Sequence, residues 1–213
     1  MVSSKRGLYY IAAVLILILS GTACEKKIPA RTHEAALQTQ ECVVTLVTGE
    51  VELSSGEEWE YLEAGTRVQA SDSIRTYEDS SCELALGLSS AIIIEENTTI
   101  ELKTLFSQSG GRDTSIGLAF GAILCKVGKL AEDEDFSVST QGAACGVRGT
   151  SFMVRYNEAG ETKLAVEEGE VSVLPPELLS EEMKSAAADS PEIMEALMAI
   201  EENAPVFNAN EEI

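Results

Sequence analysis

Histidine occurs once in these 213 residues, at His33, and tryptophan once, at Trp59. A lone histidine in a polar stretch removes Ser-His-Asp and Cys-His arrangements and any histidine-built metal site. Basic residues are scarce as well: 15 Lys and Arg stand against 36 Asp and Glu, a formal charge of −21. No Lys or Arg run follows the first few residues, and nucleic-acid affinity rests on neutralising phosphates with such side chains, so nucleic acid is excluded as a partner. No two cysteines have the short spacing of a zinc site, so no metal is expected. The acidic run Glu132-Asp133-Glu134-Asp135 lacks the alternating oxygen ligands and interior glycine of a calcium loop and reads as a solvated turn. No acid pair stands apart from the surplus to mark a hydrolytic site, so the chain reads as non-enzymatic and without a cofactor.

What is present begins with an apolar front. Lys5 and Arg6 precede an unbroken apolar run from Leu8 to Leu19, the layout of a secretory signal over residues 1–23. The apolar stretch through Ala23 falls short of the roughly 20 residues that cross a bilayer, which favours cleavage over a retained anchor. Leu19-Ser20-Gly21-Thr22-Ala23-Cys24 resembles the lipobox of bacterial lipoproteins, with Gly21 where that family prefers Leu. The resemblance implies acylation of Cys24 and a lipid anchor in a membrane of the cell envelope, facing the periplasm or the exterior. Residues 24–41 then form a polar tether.

From Cys42 the pattern is of short strands. Val43, Val44, Leu46 and Val47, then Val51 and Leu53, then Cys82 to Leu88, Ile92 with Ile94, and Ile100 with Leu102 are separated by turn residues about every ten positions. Such spacing with hardly a helical period predicts an all-β domain over 42–174, an antiparallel sandwich or rolled sheet. Ser107 to Ser115 reads as a loop before strand character returns from Leu118 to Leu130. Gly49-Glu50-Val51, Gly121-Ala122-Ile123 and Gly169-Glu170-Val171 echo one another, too loosely to count as a repeat; each reads as a glycine opening a strand.

The most distinctive stretch is Phe136 to Tyr156, FSVSTQGAACGVRGTSFMVRY. Period-two strands at both ends enclose Gly142, Gly146 and Gly149, where backbone can approach closely or take positive φ. Arg148 stands alone among these small residues. With Gly146, Gly149 and Thr150 it is the candidate binding group, a guanidinium beside turn N–H groups able to hold a carboxylate or phosphate. The alternative is an arginine paired to a neighbouring acid, locking the turn.

In order along the chain, Val47, Gly49, Val51, Trp59, Leu62 and Gly65, then Asp72-Ser73-Ile74-Arg75-Thr76, then Val147-Arg148-Gly149-Thr150-Ser151-Phe152 and Glu167-Glu168-Gly169-Glu170-Val171 together resemble the FecR domain. In that family's namesakes a cytoplasmic helical segment binds a sigma factor, and a transmembrane helix leads to an extracytoplasmic domain that senses a transporter's state. Only Met1 to Gly7 precede the apolar run here, so the resemblance implies the extracytoplasmic domain without the sigma-binding segment. The expectation is a ligand- or protein-binding or scaffold module with a protein partner. The alternative is an envelope sensor that relays its signal through other proteins.

Pro175-Pro176 ends the sheet, and residues 175–213 read as an acidic helical tail, with helices over Glu177–Ala188 and Ser190–Asn203. Ile193, Ala196, Leu197 and Ile200 make one apolar stripe, expected to pack on the β domain, with docking of a partner protein as the alternative. Apart from Cys24, the cysteines are Cys42, Cys82, Cys125 and Cys145, an even number that permits up to two disulfides in an exported protein. Cys125 and Cys145 flank the acidic turn and are the easier pair to bring together.

Overall fold

A computed structural model describes residues 41–105, 113–131, 134–179, 181–211 and 213. The signal segment, Cys24, His33, the tether up to residue 40 and Glu132-Asp133 lie outside the described residues. The strands are β1 (Cys42–Thr48), β2 (Val51–Ser54), β3 (Glu60–Tyr61), β4 (Arg67–Val68), β5 (Ser73–Thr76), β6 (Ser81–Leu86), β7 (Ser90–Ile94) and β8 (Thr99–Thr104). They continue with β9 (Thr114–Lys126), β10 (Phe136–Ser139), β11 (Ala144–Val147), β12 (Ser151–Tyr156), β13 (Thr162–Glu168), β14 (Glu170–Leu174) and β15 (Val206–Asn208). A 3₁₀ turn at Pro176–Leu179 and helices α1 (Glu181–Asp189) and α2 (Pro191–Glu202) fall between the last two strands.

The strands form two layers joined through β9. One layer runs β4-β1-β6-β7-β9-β12-β13; the other runs β3-β2-β5-β8-β9-β10-β11-β14-β15. β9 belongs to both: Ser115–Phe120 pairs β8 in the second layer, and Gly121–Lys126 pairs β12, with Ile123–Lys126 also pairing β7, in the first. The all-β architecture with a helical C-terminal segment is thus the rolled sandwich expected, with one exception to its antiparallel order. β10 runs parallel to β9, Phe136 opposite Thr114. The strand expected from Leu118 begins earlier, at Thr114, and passes straight through Gly121.

Period-two alternation builds the core. In β6 Cys82, Leu84 and Leu86 point inward, and in β8 Ile100 and Leu102 do so, each under a tenth exposed. Phe152, Ile74, Ile92, Ile94, Ile116 and Ile123 are fully buried between the layers. Each such side chain contributes about 1.5–3 kcal/mol by leaving water.

The chain changes layer at two creases on opposite sides of the sandwich, and a residue with positive φ sits at every crossing. The first crease has Gly49 (φ 71°) between β1 and β2, Asp79 (52°) between β5 and β6, Asn97 (50°) between β7 and β8, and Gly121 (98°) within β9. The second has Gly149 (69°) between β11 and β12, Gly169 (88°) between β13 and β14, and Asn210 (71°) after β15. Gly65 (91°) between β3 and β4 and Ser71 (72°) between β4 and β5 mark two further crossings; apart from Ser71 the crossings use Gly, Asn or Asp, the types that most readily take this region.

The three echoing glycines are in fact one device. Each presses on a hydroxyl residue of the neighbouring crossing: Gly49 on Ser80, Gly121 on Thr98, Gly169 on Thr150. Ser80 Oγ accepts a bond from Glu50 N at 2.8 Å, Thr98 Oγ1 accepts from Ala122 N at 3.0 Å, and Thr150 Oγ1 donates to the Glu170 carbonyl at 2.9 Å. A bent strand leaves backbone polar groups off the ladder, and a small hydroxyl reaches them where a Cβ on the glycine would collide.

The tail departs from expectation at both ends. β15 pairs with β14, and Asn210, Glu211 and Ile213 hydrogen-bond to Leu164 and Val166 of β13, so the last residues join both layers. The apolar stripe of α2 does not bury itself: Ile193 is 36% and Ile200 42% exposed.

Candidate functional site

The turn that carries Arg148 lies on the second crease. β11 delivers Val147 into the core, Gly149 reverses the chain at positive φ, and Thr150 is buried against Gly169. Thr150 therefore builds the crease, and Ser151 Oγ donates to Glu167 Oε2 at 2.8 Å beside it. Gly146 stands in mid-strand opposite Ser137 and Ser172, with open space where a side chain would be. Of the four candidate residues, only Arg148 presents a charged group outward.

Arg148 Nη2 lies 3.8 Å from Asp135 Oδ1, and both side chains are 71% exposed. A stretched, solvated pair of this kind is worth at most about 1 kcal/mol and does not lock the turn. Beside it lies an open concavity of about 420 Å³ whose lining includes Lys126, Lys129, Gly149, Thr150 and Glu168. Among the described residues Lys126, Lys129 and Arg148 line it together with Glu168, and Asp135 faces Arg148.

A second cluster escapes a motif-by-motif reading. In register across the outer face of the second layer stand Tyr61 on β3, Glu52 on β2, Arg75 on β5 and Thr99 on β8. Arg75 bridges to Glu52 Oε2 at 2.5 Å, and its guanidinium lies 4.1 Å from the Trp59 ring centre and 5.4 Å from that of Tyr77. Tyr77 O–H donates to the same Glu52 oxygen at 2.8 Å. The Tyr77 hydroxyl, then the Arg75 guanidinium, hold the Glu52 carboxyl below the usual range; the same Glu52 contact pushes the Tyr77 hydroxyl up. Arg75 is 33% exposed and Tyr61 74%. Trp, Tyr and Arg packed around a satisfied charge are the residue types that anchor protein interfaces. The signal is in the spacing: Trp59 stands two before Tyr61 of β3 and Tyr77 two after Arg75 of β5, the spacing that puts residues of an extended chain on one side.

The four domain cysteines are buried free thiols rather than disulfides. Cys42 lies opposite Leu86, and Cys82 lies opposite Val47 on the other end of the same strand pair. That stagger is about 13 Å at 3.3 Å per residue, well beyond disulfide reach. Cys125 is flanked by Ile92 and Phe152 in one layer, and Cys145 by Val138 and Val173 in the other. Burial pushes the thiols of Cys42, Cys82 and Cys145 up to about 12 and that of Cys125 higher still, so none is a nucleophile. Among the described residues no cluster of three or more His, Cys, Asp or Glu is placed to hold a metal ion.

The described residues thus form a two-layer β domain with creased strands and an outward aromatic-arginine cluster. Residues 72–172 match the family described as FecR protein, and the chain carries a FecR domain there. β1 to β4 precede the matched segment yet belong to the same two layers. Two crystal structures are similar, both described as a "putative anti-sigma factor" from Parabacteroides distasonis ATCC 8503, at 1.65 Å and 2.50 Å resolution. They are 19% and 20% identical with TM-scores of 0.45 and 0.46, covering 66% of this chain. The chain spans about half of each, 53%. No curated protein matches the chain.

Proposed function

We propose that the protein is an exported, lipid-anchored FecR-domain protein of the cell envelope, acting as a non-enzymatic module that binds another protein. The observation that carries the reading is the outer-face row of Tyr61, Glu52 and Arg75 with Trp59 and Tyr77 stacked about the guanidinium. Arg75 is neutralised and held in place, so a partner meets a pre-ordered aromatic surface and loses little side-chain entropy on binding. Tyr61 on the edge strand extends that surface into solvent.

The experiment is a crosslinked pull-down from intact envelopes with the tagged full chain and its Tyr61→Ala and Trp59→Ala variants. Tyr61 is exposed, so its replacement leaves the fold intact. A partner captured by the parent and lost from Tyr61→Ala supports the reading; equal capture by both variants overturns it. Fatty-acid labelling that persists in Cys24→Ser overturns the lipid anchor. A captured membrane receptor whose signalling needs this chain would favour the sensor alternative over a scaffold.

A further inference from the structure

A helical excursion leaves the second layer after β14 and returns to it as β15, the strand directly beside it. Adjacent antiparallel strands need only a short turn to join them, so residues 175–205 are not required to complete the sheet. Among their described side chains, Ala187 of α1 is the buried apolar one. Instead the excursion displays α2. Four of the ten large exposed hydrophobic residues of the described protein lie on it: Ile193, Met194, Met198 at 59% and Ile200 at 42%. With half-buried Leu197 they cover roughly 160° of the helix circumference at about 100° per residue.

The remainder of the circumference decides what covers this face. Glu192, Glu195 and Glu202 occupy it, and α2 contains no Lys or Arg. A second copy would set one acidic helix against another in a chain of formal charge −21, and an anionic lipid surface would repel it likewise. The face is also small, about 11 Å from Ile193 to Ile200 at 1.5 Å per residue, the footprint of one helix rather than of a broad surface. Methionine at two of the contact positions suits a face that repacks around its partner.

We propose that α2 is a docking helix for a cationic amphipathic helix of a partner protein. The partner's apolar stripe lies along Ile193, Leu197, Ile200, Met194 and Met198, and its Lys or Arg residues meet the flanking Glu192, Glu195 and Glu202. This is helix-against-helix recognition read at i, i+4 and i+7. It is a surface separate from the Tyr61 face and does not depend on that reading.

The probe is an 18-residue amphipathic peptide of Leu and Lys, followed by fluorescence anisotropy against the full chain, with a Leu and Glu peptide of the same pattern as control. The Met194→Ser, Met198→Ser, Ile200→Ser triple variant keeps every charge and alters only exposed side chains. The expected result is binding of the Leu/Lys peptide by the parent, weakened about tenfold or more in the triple variant. Unaltered circular dichroism and an unaltered melting curve establish that the variant is folded. Equal binding by the triple variant reduces the effect to charge attraction and overturns the proposal. So does equal binding of the Leu/Glu peptide, no binding of the Leu/Lys peptide, or a parent dimer that the triple variant dissociates. Tyr61→Ala binds the peptide as the parent does; loss of binding there would move the site to the other face and equally overturn the proposal.

Discussion

Gly169→Ala and Gly65→Ala form a matched pair that tests whether the creases hold the sandwich together. Both glycines have nearly the same backbone angle, φ 88° and 91°, so the conformational penalty of a Cβ, about 1–2 kcal/mol, is common to both. The entropy that alanine removes from the unfolded chain is common too. Their surroundings differ. A Cβ at Gly65 meets nothing within 4 Å, whereas at Gly169 it meets the Gly149 carbonyl oxygen at 2.9 Å, Thr150 Oγ1 at 3.0 Å and Thr150 Cα at 3.1 Å. Two of those three atoms are backbone and cannot rotate away, so the crossing must open. Overpacking of this kind costs about 1–3 kcal/mol beyond the shared term. In urea or guanidinium unfolding, Gly169→Ala is therefore expected to lower the midpoint by that further amount relative to Gly65→Ala, with slopes unchanged. In thermal melts the gap is about 2–4 °C per kcal/mol for a domain of this size. Equal loss in the two variants would mean that the contact between the Val147–Thr150 turn and Gly169 contributes nothing, and the crease account would fall.

Two further outcomes are expected. Cys42, Cys82, Cys125 and Cys145 resist iodoacetamide at pH 8 in the folded chain and react together on unfolding, and rapid native labelling of any one contradicts its burial. Their folded pKa values are raised above the unfolded value near 9, so the stabilisation is complete below about pH 9 and is lost as pH rises toward 12, about 1.4 kcal/mol per thiol per pH unit. The Cys42→Ala, Cys82→Ala variant should lose stability less steeply across that window. The Glu52 carboxyl is held below its ordinary value, so the bridge to Arg75 persists above the normal glutamate range and is lost as pH falls below it. Trp59, the only tryptophan, should report that loss as a fluorescence change at acid pH that is missing in Glu52→Gln.

Alternation of apolar residues was enough to read the all-β class and most strands, because a side chain's face follows from its position along an extended strand. The order of Gly, Trp, Arg and Gly-Thr motifs was enough to read the family. The Ile193, Leu197, Ile200 stripe was equally legible as a helix face. What local pattern could not show is which stripe finds a partner, since that depends on whether another apolar surface is left open. The start of β9 is hidden for a related reason: Thr114 and Ser115 read as the end of a polar loop, and Gly121, which reads as opening a strand, is a bend within one strand that changes layer.

The candidate site divides in the same way. Arg148 stands out because it is alone among small residues, and among the described residues its ion-pair partner is the exposed Asp135 at 3.8 Å. Glu52, Trp59, Arg75 and Tyr77 are scattered over 26 positions' worth of sequence, and only the β2–β5 register stacks them. By itself the sequence determined the strands, the family and the residue types able to take positive φ, all of which depend on local sterics and period. Tertiary structure alone decided that Gly49, Gly121 and Gly169 share one crease device, that Cys42 and Cys82 sit at opposite ends of one strand pair, and that an apolar helix faces solvent. Each of these depends on distances between segments far apart in the chain, which no local preference encodes.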